Sequence, residues 1–83
     1  MLGKMTITPG QCRGARAMLA FDQGRLAELA NVSRNTIASF ETGQRVPGSN
    51  NLAAIRAALE SAGVEFIDEN GGGEGVRMKK AAP

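Results

Sequence analysis

The sequence predicts a mainly α fold that ends in a β-hairpin. Apolar residues recur at helical spacing before residue 64, and a capping residue precedes each of these segments. Two short runs of β-forming residues then flank a glycine-rich segment. With 83 residues the chain forms one small domain. A domain of this size buries only about 60% of its unfolded surface, so pairing with a second copy would add buried area.

Helix 1 is predicted over residues 9–20. It begins at Thr8-Pro9-Gly10-Gln11, where a threonine cap, a proline at the first helical position and a glutamine three residues after the cap form a capping box. Arg13 and Arg16 lie outside its apolar stripe. The stripe contains Cys12, Ala15, Met18 and Leu19.

Helix 2 is predicted over residues 23–30. Asp22 is a favourable N-cap, and Asn31 tolerates the left-handed conformation that commonly ends a helix. The buried face is expected to contain Leu26, Ala27, Leu29 and Ala30. Gly24 costs this helix about 1 kcal/mol relative to alanine.

Helix 3 is predicted over residues 34–42, with Ser33 as its N-cap and Gly43 as its end. Ile37 and Phe40 are expected to point inward. The other face is polar or small, and contains Arg34, Asn35, Ala38, Ser39 and Thr42.

Helix 4 and a hairpin complete the fold. Ser49 is predicted to cap helix 4, which ends at Gly63 and buries Leu52, Ile55, Ala58 and Leu59. Strands are predicted at residues 64–67 and 75–78. Because an isolated hairpin is marginally stable in water, it must pack on the helices or on a second copy. The acidic, glycine-rich loop between the strands is a connector, since its carboxylates would repel phosphate.

Helices 2 and 3, joined by the turn Asn31-Val32-Ser33, form a helix-turn-helix. The chain contains the pattern Gln23-x-x-Leu26-Ala27-x-x-Ala30-x-Val32-Ser33-x-x-Thr36-Ile37-x-x-Phe40-Glu41-x-Gly43-x-x-Val46-Pro47, followed by Leu52-x-x-Ile55-x-x-Ala58-Leu59. In this pattern the chain resembles the Cro/C1-type (XRE) family of bacterial and phage DNA-binding regulators, and the second segment matches the family's fourth helix. The resemblance implies a lambda-repressor-like helix-turn-helix domain of four to five helices over residues 8–63, between an N-terminal tail at 1–7 and the hairpin at 64–78. Residues 79–83 are expected to be a disordered tail.

The resemblance also implies a DNA-binding surface. In the family the third helix enters the major groove. Carried over by position, the residues that contact bases would be Arg34, Asn35 and Ser39. The residues that contact the DNA backbone would be Gln23, Thr36, Thr42, Gln44 and Arg45.

The charges are unevenly distributed along the chain. Residues 1–56 carry seven basic and three acidic groups (+4), residues 57–76 carry five acidic groups (−5), and the last seven residues carry three basic groups (+3). In residues 22–45 three arginines cancel three acidic residues. The surface formed by these residues is therefore predicted to be neutral, and a neutral surface has few positive charges with which to neutralise DNA phosphates.

Two functions follow. The first is a small DNA-binding transcriptional regulator, expected to be a repressor that acts as a homodimer on a pseudo-palindromic operator in double-stranded DNA. Its dimer interface would lie on the hairpin and include Phe66, Ile67, Val76 and Met78. The alternative is the same fold used as an antiactivator that sequesters another transcriptional regulator protein, an idea motivated by the neutral surface and the acidic residues 57–76.

Other classes of function are not favoured by the composition. The chain has no His and a single Cys12, so the usual nucleophile–base pairs, zinc ligand sets and internal disulfides cannot be assembled. We therefore expect no catalytic residues, no metal and no cofactor. No apolar run approaches the ~20 residues of a transmembrane helix, and the N-terminus lacks a signal-peptide pattern. These features predict a cytoplasmic protein.

Overall fold

Four helices precede a two-stranded antiparallel sheet in the computed structural model, which describes residues 6–80. The elements are α1 Pro9–Leu19, α2 Gln23–Ala30, α3 Arg34–Glu41, α4 Ser49–Ala62, β1 Val64–Ile67 and β2 Gly75–Met78. The predicted mainly α fold with a C-terminal hairpin is confirmed. Of the predicted tails, residues 1–5 and 81–83 lie outside the described part of the chain.

The predicted caps of the first three helices are present. Thr8 Oγ1 accepts from the Gln11 N–H at 3.1 Å, and Gln11 Oε1 accepts from the Thr8 N–H at 2.8 Å, which completes the capping box. The side chains of Asp22 and Ser33 accept hydrogen bonds from the backbone N–H groups of Arg25 and Thr36, at 2.7 Å and 3.0 Å. Asn31 ends α2 with φ +58°, in the left-handed region that it tolerates better than most residues.

The predicted cap of α4 is wrong. Ser49 is the first helical residue, and Gly48 occupies the cap position with no side-chain hydrogen bond. A glycine tolerates the extended cap conformation but has no oxygen that can accept from the helix N–H groups. The far end is as predicted, because Gly63 ends the helix with φ +123°.

The core is built from one face of each helix and from the hairpin. Met18 and Leu29 were predicted to be buried but are 46% and 45% exposed. Met18 lies in the last turn of α1, beyond Ala15, the last fully buried residue of that helix, and Leu29 lies about 100° from the centre of the buried face of α2. The buried apolar residues are Ile7, Cys12, Ala15, Leu26, Ala27, Ala30, Ile37, Phe40, Leu52, Ile55, Leu59, Val64 and Phe66.

The hairpin packs on α1 and α4. Its register pairs Val64 with Met78 and Phe66 with Val76. Gln11 Nε2 donates to the Gly75 carbonyl at 2.8 Å, so one buried amide both caps α1 and fastens the hairpin to it. The approach of α1 to β2 is close: a Cβ at Gly14 would lie 3.2 Å from Val76 Cγ1.

Candidate nucleic-acid interface

Helix α3 separates its apolar residues from its polar ones. Ile37 and Phe40 are buried in the core, as predicted, and fix the helix against the rest of the domain. On the opposite side, in the first turn, Arg34 and Asn35 are exposed. The helix therefore offers a polar face that projects from a rigid, packed base.

A groove of about 340 Å³ lies beside this polar face. It runs between α3, the loop that follows it and the first turn of α4. Its lining residues are Asn35, Thr36, Ser39, Arg45, Val46, Pro47, Gly48 and Asn51. Val46 is 75% exposed. The structure thus brings together four of the residues that the sequence assigned to DNA, and adds Val46 and Asn51, which it did not.

The loop after α3 is held against the helix by the Ser39 carbonyl. This oxygen accepts from the backbone N–H groups of Gln44 at 3.0 Å and Arg45 at 3.2 Å, and from the Thr42 hydroxyl at 3.2 Å. Thr42, Gln44 and Arg45 are all exposed. The loop therefore presents these side chains from a backbone that is fixed relative to α3.

Gln23 is placed differently from the other predicted contact residues. It begins α2 and is half-buried, and its side-chain Nε2 donates to Glu41 Oε1 at 3.0 Å. Each Nε2 carries two hydrogens, so one donor of this amide is used inside the protein and one remains.

Glu41 is the centre of a buried hydrogen-bond network between α1, α2 and α3. It is 3% exposed, and its carboxylate accepts from Arg16 Nε and Nη2, both at 2.7 Å, in a bidentate ion pair. The Cys12 thiol donates to the same carboxylate at 3.2 Å. Arg16 also donates to the Phe21 carbonyl at 3.0 Å, and Arg13 donates to the Glu41 carbonyl. The sequence placed Arg16 outside the apolar stripe but gave no signal for this pair, because its members are 25 residues apart.

The network determines which of its groups carry charge. Burial acts to raise the pKa of Glu41, but hydrogen bonds from Arg16, Gln23 and Cys12 outweigh it and hold the pKa below its ordinary value. Burial, the hydrogen bond to Glu41 and the charge of Glu41 raise the pKa of the Cys12 thiol far above its usual range. The carboxylate is therefore ionised and the thiol protonated, which is the arrangement that the hydrogen bond between them requires.

The net charge of the surface formed by α2, α3 and the loop that follows differs from the net charge counted along residues 22–45. Glu41 is buried against Arg16, which lies outside residues 22–45, and Asp22 caps α2. Arg25 pairs with Glu28 at 3.4 Å. Within residues 6–80, the side chains of Arg34 and Arg45 have no ion pair or hydrogen bond. Without Glu41, residues 22–45 carry three arginines against Asp22 and Glu28, a net charge of +1, and the guanidinium groups of Arg34 and Arg45 have no partner among residues 6–80.

The four residues predicted for a dimer interface are not equally accessible. Phe66 is 8% exposed and belongs to the core, where the Arg56 guanidinium lies 5.5 Å from its ring centroid. Ile67 and Val76 are half-buried, and Met78 is 49% exposed. Phe66 therefore contributes to the monomer, while Met78 remains at the surface.

Residues 6–80 include no cluster of three or more side chains that could together hold a metal ion. No helix in the described part of the chain has the length and apolar character needed to cross a membrane.

Comparison with known proteins agrees with this geometry. A family model described as helix-turn-helix matches residues 13–66, which is more than half of the chain and includes α2, α3 and the groove beside them. A search of curated proteins gave no match.

Proposed function

The chain belongs to the Cro/C1-type helix-turn-helix family of DNA-binding regulators, and from this premise we propose that α3 reads bases in the major groove of an operator. The observation that carries the proposal is the exposed first turn of α3, where Arg34 and Asn35 project from a packed helix. An arginine pairs with the two acceptors of guanine, and an asparagine pairs with adenine. Ser39, one turn further along, is the third base-contacting residue.

Backbone contacts come from the edges of the same surface. Arg45 supplies a free positive charge beside the groove, and Thr36, Thr42 and Gln44 supply hydroxyl and amide groups. Gln23 contributes the donor of its amide that Glu41 leaves available. Contacts of this kind set the register and much of the affinity, while base contacts set the specificity.

We propose that the protein acts as a repressor by occupying its operator as a homodimer. A twofold dimer presents two copies of α3, which matches a pseudo-palindromic site whose half-sites are one helical turn of DNA apart. The marginal buried area of a chain of 83 residues favours such pairing.

An antiactivator that sequesters another regulator is the second candidate. It is supported by the hairpin tip, where Asp68, Glu69 and Glu74 are exposed and, within residues 6–80, take part in no ion pair. An acidic tip of this kind suits a basic protein partner.

Binding to bulk duplex DNA separates the two candidates. At ~50 mM salt the regulator is expected to bind non-specifically, with log K falling linearly as log salt rises. No binding under these conditions would contradict DNA recognition and favour the protein partner.

Specific binding tests the assigned residues. On duplexes selected from a random pool, Arg34→Ala and Asn35→Ala should each weaken binding by about 1–3 kcal/mol. Arg25→Ala and Asn70→Ala are the matched controls, since Arg25 is paired with Glu28 and Asn70 lies in the hairpin loop. If the variants in α3 bind as well as the controls, the base-contacting assignment is wrong.

A further inference from the structure

Val46 is an exposed apolar side chain on the surface that is proposed to bind DNA. Its exposure of 75% is the highest among the large apolar residues at the surface of residues 6–80. The others, Met18, Leu29 and Met78, are 46%, 45% and 49% exposed and do not line the groove beside α3. Val46 therefore places an apolar group in a groove whose other side chains are largely polar.

The backbone on both sides of Val46 is restrained. Before it, the N–H groups of Gln44 and Arg45 donate to the Ser39 carbonyl at 3.0 Å and 3.2 Å. After it, Pro47 is half-buried and restricts the residue that precedes it to extended conformations. The β-branched side chain of Val46 also has few rotamers. The isopropyl group is thus confined before DNA binds, so a contact that it makes costs little conformational entropy.

The rest of the groove suits the edge of a DNA base pair. Asn35 and Ser39, which the proposed function assigns to base contacts, line the groove together with Val46. Arg45, assigned to the DNA backbone, also lines it, and none of the lining residues is acidic. The apolar side chain therefore lies among the groups that would contact base edges and phosphates.

Base edges in the major groove offer one apolar group. Adenine, guanine and cytosine present hydrogen-bond donors and acceptors there, whereas thymine presents its C5-methyl group beside the O4 acceptor. An aliphatic side chain packed on this methyl group removes apolar surface of both partners from water. An exposed aliphatic side chain next to base-contacting residues therefore matches thymine.

We infer that Val46 is a specificity-determining residue, which selects a thymine in each half-site by packing on the C5-methyl group of the base. The inference rests on the proposed function, since α3 must lie in the major groove for Val46 to reach a base. Asn35 and Ser39 then read hydrogen-bonding groups, and Val46 reads a group that makes no hydrogen bond. The loop after α3 thus contributes to sequence preference as well as to backbone contacts.

Replacing thymine with deoxyuridine tests this contact, because it removes the methyl group and leaves the hydrogen-bonding groups of the base unchanged. Duplexes that the full chain selects from a random pool are substituted at one thymine at a time, and dissociation constants are measured by fluorescence anisotropy. With the wild type, one such replacement in a half-site should weaken binding by about fourfold, as expected for one buried methyl group. With Val46→Ala the same replacement should change the dissociation constant by less than about twofold.

The matched control is Leu29→Ala, since Leu29 is an exposed apolar residue of α2 that lies outside the groove. This variant should keep the full fourfold effect. The inference would be overturned if no deoxyuridine replacement weakened binding of the wild type, or if the replacement had equal effects on the wild type and on Val46→Ala. A chain that selects no duplex would overturn the proposed function as well. Weaker binding by Arg34→Ala and Asn35→Ala without a methyl effect would overturn this inference alone.

Discussion

On the packed side of α1 the charged side chains pair with each other inside the protein, whereas on the open surface around α2 and α3 two arginines project towards solvent. On the packed side, Arg16 and Glu41 satisfy each other inside the protein. On the open surface, Arg34 and Arg45 project with no partner among residues 6–80. A sum of charges along the sequence cancels these groups, but the fold separates them. A charge count is therefore informative about binding only after the internal pairs have been removed.

The largest expected effect is on the packed side. Arg16→Ala should lower the free energy of unfolding by about 3–5 kcal/mol, because it leaves the buried Glu41 carboxylate without its ion-pair partner. Urea unfolding followed by circular dichroism measures this. Arg25→Ala, on the open surface, should cost less than about 1 kcal/mol, since its pair with Glu28 is exposed. Equal losses in the two variants would remove the distinction between the two sides.

A smaller effect is expected from pH. The pKa of Glu41 is below its ordinary value in the folded protein, so the unfolded state binds the proton more readily. The stability contributed by the carboxylate is complete above the ordinary pKa of about 4.3 and is lost as the pH falls through the lower folded value. Glu41→Gln should therefore show a flatter loss of unfolding free energy below about pH 4.3 than the wild type.

Asn70→Ala is the control for this pH dependence, because Asn70 lies in the hairpin loop and its replacement removes no titratable group. Its stability curve between pH 5 and pH 3 should run parallel to that of the wild type. The account of the network would be wrong if Glu41→Gln gave the same curve as this control.

The smallest effect is expected from replacing one glycine in each region, Gly24 on the open surface and Gly14 on the packed side of α1. Gly24→Ala should stabilise the protein by about 0.5–1 kcal/mol, because alanine favours a helix and the nearest atom to the new Cβ is Asp22 Oδ1 at 3.4 Å. Gly14→Ala should gain less, since its Cβ would lie 3.2 Å from Val76 Cγ1 in the packed interface of α1 with β2. Thermal unfolding measures both, and a larger gain at Gly14 would contradict the close packing of the hairpin.

Local features of the fold could be predicted from the sequence. The capping box at Thr8, the caps Asp22 and Ser33, and the left-handed Asn31 depend on interactions within three or four residues, and all are present. The cap of α4 is an exception, because a serine and a glycine adjacent to each other made the start ambiguous by one residue.

Long-range features could not be predicted in this way. The bond from Gln11 to Gly75 joins residues 64 positions apart, and the pair of Arg16 with Glu41 joins residues 25 apart. Both require the path of the chain in three dimensions. For the same reason the sequence identified only some of the residues that line the groove beside α3, since Asn51 reaches the groove from another helix.

A nuclear magnetic resonance titration of the labelled protein with duplex DNA tests the central claim, that the exposed face of α3 and its following loop bind DNA. The account predicts that the largest amide shifts fall within residues 33–45, with buried core residues of α1 and α4, such as Cys12 and Ile55, unaffected. Shifts confined to the hairpin at residues 64–78, with none in residues 33–45, would contradict it.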